Sequence, residues 1–236
     1  MISRSVRHFR GQEDPLAFLT ATVPAQYRKG AVIYSALKQA GHLHLILRGQ
    51  VKVSRQAAGR SVVIDVYGPE DFFGECALLG LERLPEEAVA LEKTEVMQWS
   101  KPEIEQLLLA RPQLAVGLMQ TLAKRSMDFG TRLQNFLGVQ TAERVLRTLI
   151  GFSERSGTAG EAGSVHLTPV THRLLADYTG TSREIVTQHM NEFRRQGLLS
   201  YSRRGIVLTP RAFQVAERGS YRGRRQNDTV LDGTAA

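Results

Sequence analysis

The chain has 236 residues, 42% of them hydrophobic, enough to bury one large core or two ordinary ones. Its formal charge of +8 and pI near 10.0 favour a polyanionic partner. A single cysteine excludes an intrachain disulfide and a cysteine-only metal or iron–sulfur site, and the opening MISRSVRHFRGQEDP lacks the apolar run of a signal peptide or membrane span, so a soluble cytoplasmic protein is expected.

Short apolar runs at 31–34, 42–47, 51–53, 61–67, 88–91 and 95–99, broken by Gly49, Gly59, Gly68 and Gly74, predict an antiparallel sandwich or jelly roll in a β-rich first domain, 1–110. Inside it, FFGECALLGLERLPEEAVA (72–90) joins a Phe-Gly-Glu turn, the lone Cys76 and Arg83 among acids. Cys76 lies among Phe72, Phe73, Ala77, Leu78 and Leu79, which favours a buried thiol of raised pKa over a redox sensor. His42 and His44 share a strand face, as a solvated pair or as the start of a cupin-type metal site. Such a site needs further ligands, yet 45–49 holds no acid and the other histidines are His8, His166, His172 and His189. No Ser/His/Asp, P-loop or paired-carboxylate pattern stands out, so no catalytic residue, metal or cofactor is assigned.

After Lys101-Pro102 comes a short helical segment, and the period then lengthens. From about Pro112 to Leu137, Met119, Leu122, Ser126, Phe129, Leu133 and Phe136 fall at alternating three- and four-residue steps. That predicts a helix of roughly 25 residues, about 38 Å long, with a narrow seam for a partner helix while another face packs on its own domain. Gly138 ends the stripe, Thr141 is placed as the cap of a new helix carrying Arg144, Val145, Leu146 and Leu149, and SERSGTAGEAGS (153–164) reads as a surface turn.

Residues 171–196, THRLLADYTGTSREIVTQHMNEFRRQ, carry the functional signal. Leu174, Leu175 and Tyr178 give a first helix an apolar face, Thr179-Gly180-Thr181 turns the chain, and Ser182 caps a second helix whose Val186, Met190 and Phe193 face inward. This is a helix-turn-helix, and it leaves Arg183, Glu184, Thr187, Gln188 and Asn191 outward, residue types that pair with base edges. A hairpin follows, 198–201 and 205–208, tipped by Arg203 and Arg204, a phosphate-contacting wing beside the reading helix. Between Arg194 and Arg225 lie nine arginines and one acid, Glu217, and from about Gly219 the composition is that of a frayed basic tail.

The jelly-roll pattern with Tyr67-Gly68-Pro69-Glu70-Asp71-Phe72-Phe73-Gly74-Glu75, the long helix, and Gly180-Thr181-Ser182-Arg183-Glu184-Ile185-Val186-Thr187 together resemble the cyclic-AMP receptor protein/fumarate-nitrate regulator (CRP/FNR) family over roughly residues 15–215. The resemblance implies an α+β chain: a cyclic-nucleotide-binding-type jelly roll (1–110), a dimerisation helix and hinge (111–138), a winged helix-turn-helix (139–218) and a flexible basic tail (219–236). It implies a homodimer on palindromic double-stranded DNA, with RNA polymerase as a further partner. Carried over, the base readers are Arg183, Glu184 and Gln188, the last where cyclic-AMP members have arginine, with Thr181, Ser182, Thr187, Asn191, Arg203 and Arg204 in backbone or auxiliary contact. The family's phosphate-holding Arg-Ser or Arg-Thr pair falls on Leu84-Pro85 and its base-holding Thr-Ser pair on Phe129-Gly130. Gly74, Glu75, Cys76, Ala77, Arg83 and Phe129 remain as pocket candidates for an effector other than cyclic AMP, and a constitutive regulator without effector is the alternative.

Overall fold

The computed structural model describes residues 18–35, 41–57, 60–79 and 86–217. They fall into two compact units, one running to Gly138 and including Ala176–Gly180, the other made of Val139–Leu175 and the residues from Thr181 on.

The first unit opens with β1 (Ala25–Tyr27), β2 (Val32–Tyr34), β3 (His42–Arg48), β4 (Val51–Ala57), β5 (Arg60–Tyr67), β6 (Phe72–Phe73), β7 (Glu86–Ala90) and β8 (Thr94–Ser100). They form two antiparallel four-stranded sheets, ordered β1-β8-β3-β6 and β2-β7-β4-β5. Alternation along the strands sends Ile33, Ile46, Val51, Val53, Phe73, Ala88 and Val96 into one shared core, which is what two sheets with one apolar face each must bury. The six apolar runs of the sequence all become strands. β1 and β6 were not expected, since three and two residues are too few to display a period.

His44 departs from the expected solvated pair. Its side chain is buried at 3% exposure, stacked on Phe73 with ring centroids 4.7 Å apart and lying 5.7 Å from the Tyr34 ring. Among the described residues its Nδ1 has no hydrogen-bond partner of good geometry, and burial, with His42 alongside, outweighs the backbone groups of His42 and Phe73 and lowers its pKa to about 4. The unfolded chain therefore takes up a proton near pH 6.5 that the folded chain refuses until near pH 4. This site's contribution is intact above pH 6.5 and is lost as pH falls toward 4, by ~3 kcal/mol in all. Urea midpoints at pH 7.5 and 4.5 are expected to diverge less in His44→Phe than in the native chain.

The sandwich is followed by α1 (Lys101–Ala110) and α2 (Pro112–Gly138). Glu103 accepts the Ser100 N–H at 2.7 Å, half of a capping box, and fixes the start of α1. Leu114 and Leu118 on the first turns of α2 pack with Leu43, Leu45, Trp99 and Ile104 in a second core. Farther along, the expected seam is exposed throughout: Met119 61%, Leu122 41%, Phe129 53%, Leu133 53%, Phe136 38%, with Ser126 among them.

Beyond Gly138 the chain forms α3 (Thr141–Ser156), β9 (Thr158–Ala159), β10 (Val165–Leu167), α4 (His172–Thr179), α5 (Arg183–Arg195), β11 (Leu199–Ser202), β12 (Gly205–Leu208) and α6 (Pro210–Glu217), all in the second unit except the end of α4, Ala176–Thr179, which groups with the first. The sheet of the second unit is ordered β11-β12-β10-β9. Val145, Leu146 and Leu149 of α3, Leu175 of α4, the inner face of α5 and Leu208 are all buried. Two expectations are corrected. Thr141 is the first helical residue, not the cap: the Gln140 carbonyl accepts the Arg144 N–H at 2.9 Å, and the Thr141 hydroxyl accepts from the Arg144 guanidinium at 3.3 Å instead of capping. Residues 153–164 are only partly a loop: α3 runs to Ser156 with Ser153 buried and bonded to the Ile150 carbonyl, and β9 pairs with Val165–His166.

Candidate nucleic-acid interface and sensor pocket

Local bonds set the roll of α5. The Thr171 hydroxyl accepts the Leu174 N–H at 3.1 Å at the start of α4, Gly180 at φ +65° turns the chain, and Ser182 accepts the Ile185 N–H at 3.3 Å. Val186, Met190 and Phe193 are then fully buried at i, i+4 and i+7. With that face committed, Arg183, Glu184 and Gln188 are exposed, as the sequence implied. No hydrogen bond or ion pair among the described residues holds the Arg183 or Gln188 side chain. The backbone amide of Glu184 and the Ser182 hydroxyl hold the Glu184 carboxyl below the usual range, so it is an acceptor at neutral pH.

The auxiliary residues are more constrained. Thr181 is half-buried, and the Ser182 hydroxyl is spent on its cap. Thr187 donates to the Arg183 carbonyl at 2.8 Å and lies 2.8 Å from His172 Nδ1, whose pKa is lowered by burial and by Arg183. Asn191 Oδ1 accepts the Tyr201 hydroxyl at 2.9 Å. His172 and Tyr201 were not singled out from sequence, because their roles exist only once α4 and the wing lie beside α5.

The wing is a hairpin in which Ser202 pairs with Gly205 across Arg203 and Arg204, both exposed. Gly205 sits at φ +145°, where a Cβ would lie 2.2 Å from the Leu167 carbonyl oxygen, so only glycine lets β12 pass β10 there. The Ser202 hydroxyl accepts the Arg204 N–H at 3.1 Å and holds the tip. Arg203→Ala with Arg204→Ala is expected to weaken binding to all DNA sequences alike and to lower the slope of log K on log salt by about 2 per protomer, read by fluorescence anisotropy from 50 to 300 mM salt.

In the first unit, Gly74, Glu75, Cys76 and Ala77 fall together at the head of a 3-10 turn, Glu75–Leu79. Arg125 of α2 reaches Glu75 Oε1 at 3.2 Å, donates to the Phe72 carbonyl and lies 4.5 Å over the Tyr67 ring. One helical stretch on, Arg132 donates to the Val63 and Ile64 carbonyls at 2.9 and 2.5 Å. Cys76 is half-buried with Sγ 3.7 Å from Glu86 Oε1, an oxygen that also takes Arg55 at 2.7 Å. Burial and Glu86 push the thiol up, away from the reactive thiolate. Phe129 lies exposed on α2. Arg83, like Leu84 and Pro85, lies outside the described residues. Arg125, Arg132 and the Arg55–Glu86 pair were not found from sequence, their partners being 31 to 69 positions away.

Residues 24–111 match the cyclic nucleotide-binding domain model, and residues 143–213 match the Crp-like helix-turn-helix domain model. The chain is 24% identical over 205 residues to a CRP-like cAMP-activated global transcriptional regulator of Mycobacterium tuberculosis, covering 85% of this chain and 91% of that one. It is 25% identical to the cAMP-activated global transcriptional regulator CRP of Haemophilus influenzae, over 84% and 89% of the two chains. Among solved structures, FixK2 from Bradyrhizobium japonicum superposes with a TM-score of 0.70 at 26% identity, over 87% of this chain and all of that one. A nucleotide-binding-type β domain, a long helix and a Crp-like helix-turn-helix thus occur in one order along one chain, which belongs to the CRP/FNR family of DNA-binding transcriptional regulators.

Proposed function

We propose that the chain is a cytoplasmic, non-enzymatic regulator that acts as a homodimer on palindromic operators. Domains 1–110, 111–138 and 139–218 serve as sensor, dimerisation helix and reader, while the basic tail, 219–236, lies outside the described residues. The observation that carries the reading is the Ser182-capped α5, which leaves Arg183, Glu184 and Gln188 exposed beside a wing tipped by Arg203 and Arg204. Arg183 pairs with guanine, Glu184 accepts from cytosine, and Gln188 moves its position toward A·T. RNA polymerase is a further partner when the bound regulator activates.

A specific observation favours operation without an effector. Arg125 and Arg132 tie α2 to Phe72, Glu75, Val63 and Ile64 through groups of the chain itself, so the helix is seated on the sandwich without a ligand's contacts. A ligand shifts such an arrangement only by binding one state better than another. Sites selected from random DNA are expected to be two-fold related and to bind equally well with and without cyclic AMP, cyclic GMP or cyclic di-GMP, with strong salt dependence. A tenfold gain in operator affinity with any of these nucleotides refutes the effector-independent reading; failure to select any sequence refutes the regulator itself.

A further inference from the structure

On the outward face of α5, Asn191 has the side chain suited to adenine: its carbonyl accepts from N6 while its amide donates to N7. That two-bond pair requires both ends of the amide. Here the Oδ1 end is already engaged, accepting the Tyr201 hydroxyl at 2.9 Å and an Arg194 N–H at 3.3 Å. Because a guanidinium only donates, it fixes which end of the amide faces inward. Tyr201 is itself held: the His172 ring meets it edge-on with centroids 5.5 Å apart, and the Arg194 guanidinium lies 5.4 Å over its face. The wing strand, through Tyr201, and the last turn of α5, through Arg194, thus converge on one carbonyl oxygen, and α4 holds the Tyr201 ring through His172.

We propose that Asn191 is a donor-only DNA contact, and that Tyr201, on the wing strand, is the specificity-determining residue that makes it so. Freeing the amide by rotation breaks two bonds to Oδ1, and the adenine N6–H restores only one acceptor's worth of pairing. Adenine therefore loses its two-bond advantage opposite Asn191, whose N–H serves an acceptor alone: adenine or guanine N7, guanine O6, thymine O4, or a phosphate oxygen. Tyr201 touches no base in this assignment; it acts through Asn191. The proposal rests on the DNA-reading assignment of α5.

The test is selection from random DNA with the full-length native chain, Tyr201→Phe, Tyr201→Phe/Arg194→Met, and each of these with Asn191→Ala. Tyr201→Phe keeps the ring that packs against His172, so it remains the informative variant if the double one does not fold. The expected result is a new adenine preference, at least fivefold, at one position per half-site in the Tyr201 variants, absent from the native selection and abolished by Asn191→Ala. The proposal is overturned if the native selection already has an adenine column that Asn191→Ala removes, or if the Tyr201 variants select the native sequence unchanged. A native chain that selects no sequence at all overturns the reading assignment beneath it, a separate outcome.

Discussion

Phe129→Glu combined with Leu133→Glu is expected to yield a monomer that no longer holds a palindromic operator. Both residues are 53% exposed on α2, in line with Met119, Leu122, Ser126 and Phe136, so a stripe apolar except at Ser126 faces outward over about five turns. A stripe at three- and four-residue steps fits a facing helix of the same kind, and a second copy supplies the identical pattern across a two-fold axis. Each substitution then enters the interface twice, placing four carboxylates where apolar side chains meet. An unpaired charge confined there costs several kcal/mol, more than a two-helix seam offers. The consequence for DNA is larger than for the protein fold, because a tethered second half-site raises affinity by roughly 10²–10⁴ over one half-site. Sedimentation equilibrium at 10 μM is expected to give twice 26.2 kDa for the native chain and 26.2 kDa for the variant. Operator retention falls by the tether factor while single half-site binding persists. A native chain that is already monomeric, or a variant that stays dimeric, rejects the seam.

The contrast between the two units explains what the sequence could yield. The reader was legible because its parts are local: cap, apolar triad and outward residues all lie between Thr171 and Gln196, and burying Val186, Met190 and Phe193 leaves the helix one roll angle. The long helix was legible for the same reason, a period sustained over many turns. The contacts between α2 and the sandwich were not, because they join residues far apart, Arg125 to Glu75 and Arg132 to Val63, as does the pair of Arg55 with Glu86. His44 illustrates the limit within one strand. Period two places it on the same face as His42 and Ile46, yet only Phe73 and Tyr34, brought in from β6 and β2, make that face an interior one at His44. The Cys76 thiol is half-buried where the sequence suggests a buried one, and its acidic neighbour Glu86, ten positions on, is one that no spacing rule picks out.

Arg183→Ala is expected to lower operator affinity by about 1–3 kcal/mol per half-site, hence about 2–6 kcal/mol for two, while leaving binding to unrelated DNA nearly unchanged. The sign of its effect on stability separates function from fold. Arg183 is the first residue of α5, where the helix dipole presents its positive end and unsatisfied N–H groups, a position that favours acids and disfavours a guanidinium. Its side chain is exposed and makes no ion pair among the described residues, so only the through-space attraction of the adjacent Glu184 carboxylate offsets that placement. Alanine there is expected to raise the melting temperature slightly while operator affinity collapses. Glu184, one position later, has the opposite balance: its carboxylate is held by the backbone amide of Glu184 and by Ser182, so Glu184→Gln is expected to cost both stability and the cytosine preference. The same selection from random DNA that defines the operator reads both: one G·C column relaxes in Arg183→Ala, a different one in Glu184→Gln, and the Gln188 column is untouched in each. If Arg183→Ala keeps every column, or melts lower than the native chain, the arginine belongs to the fold and not to the reading of DNA.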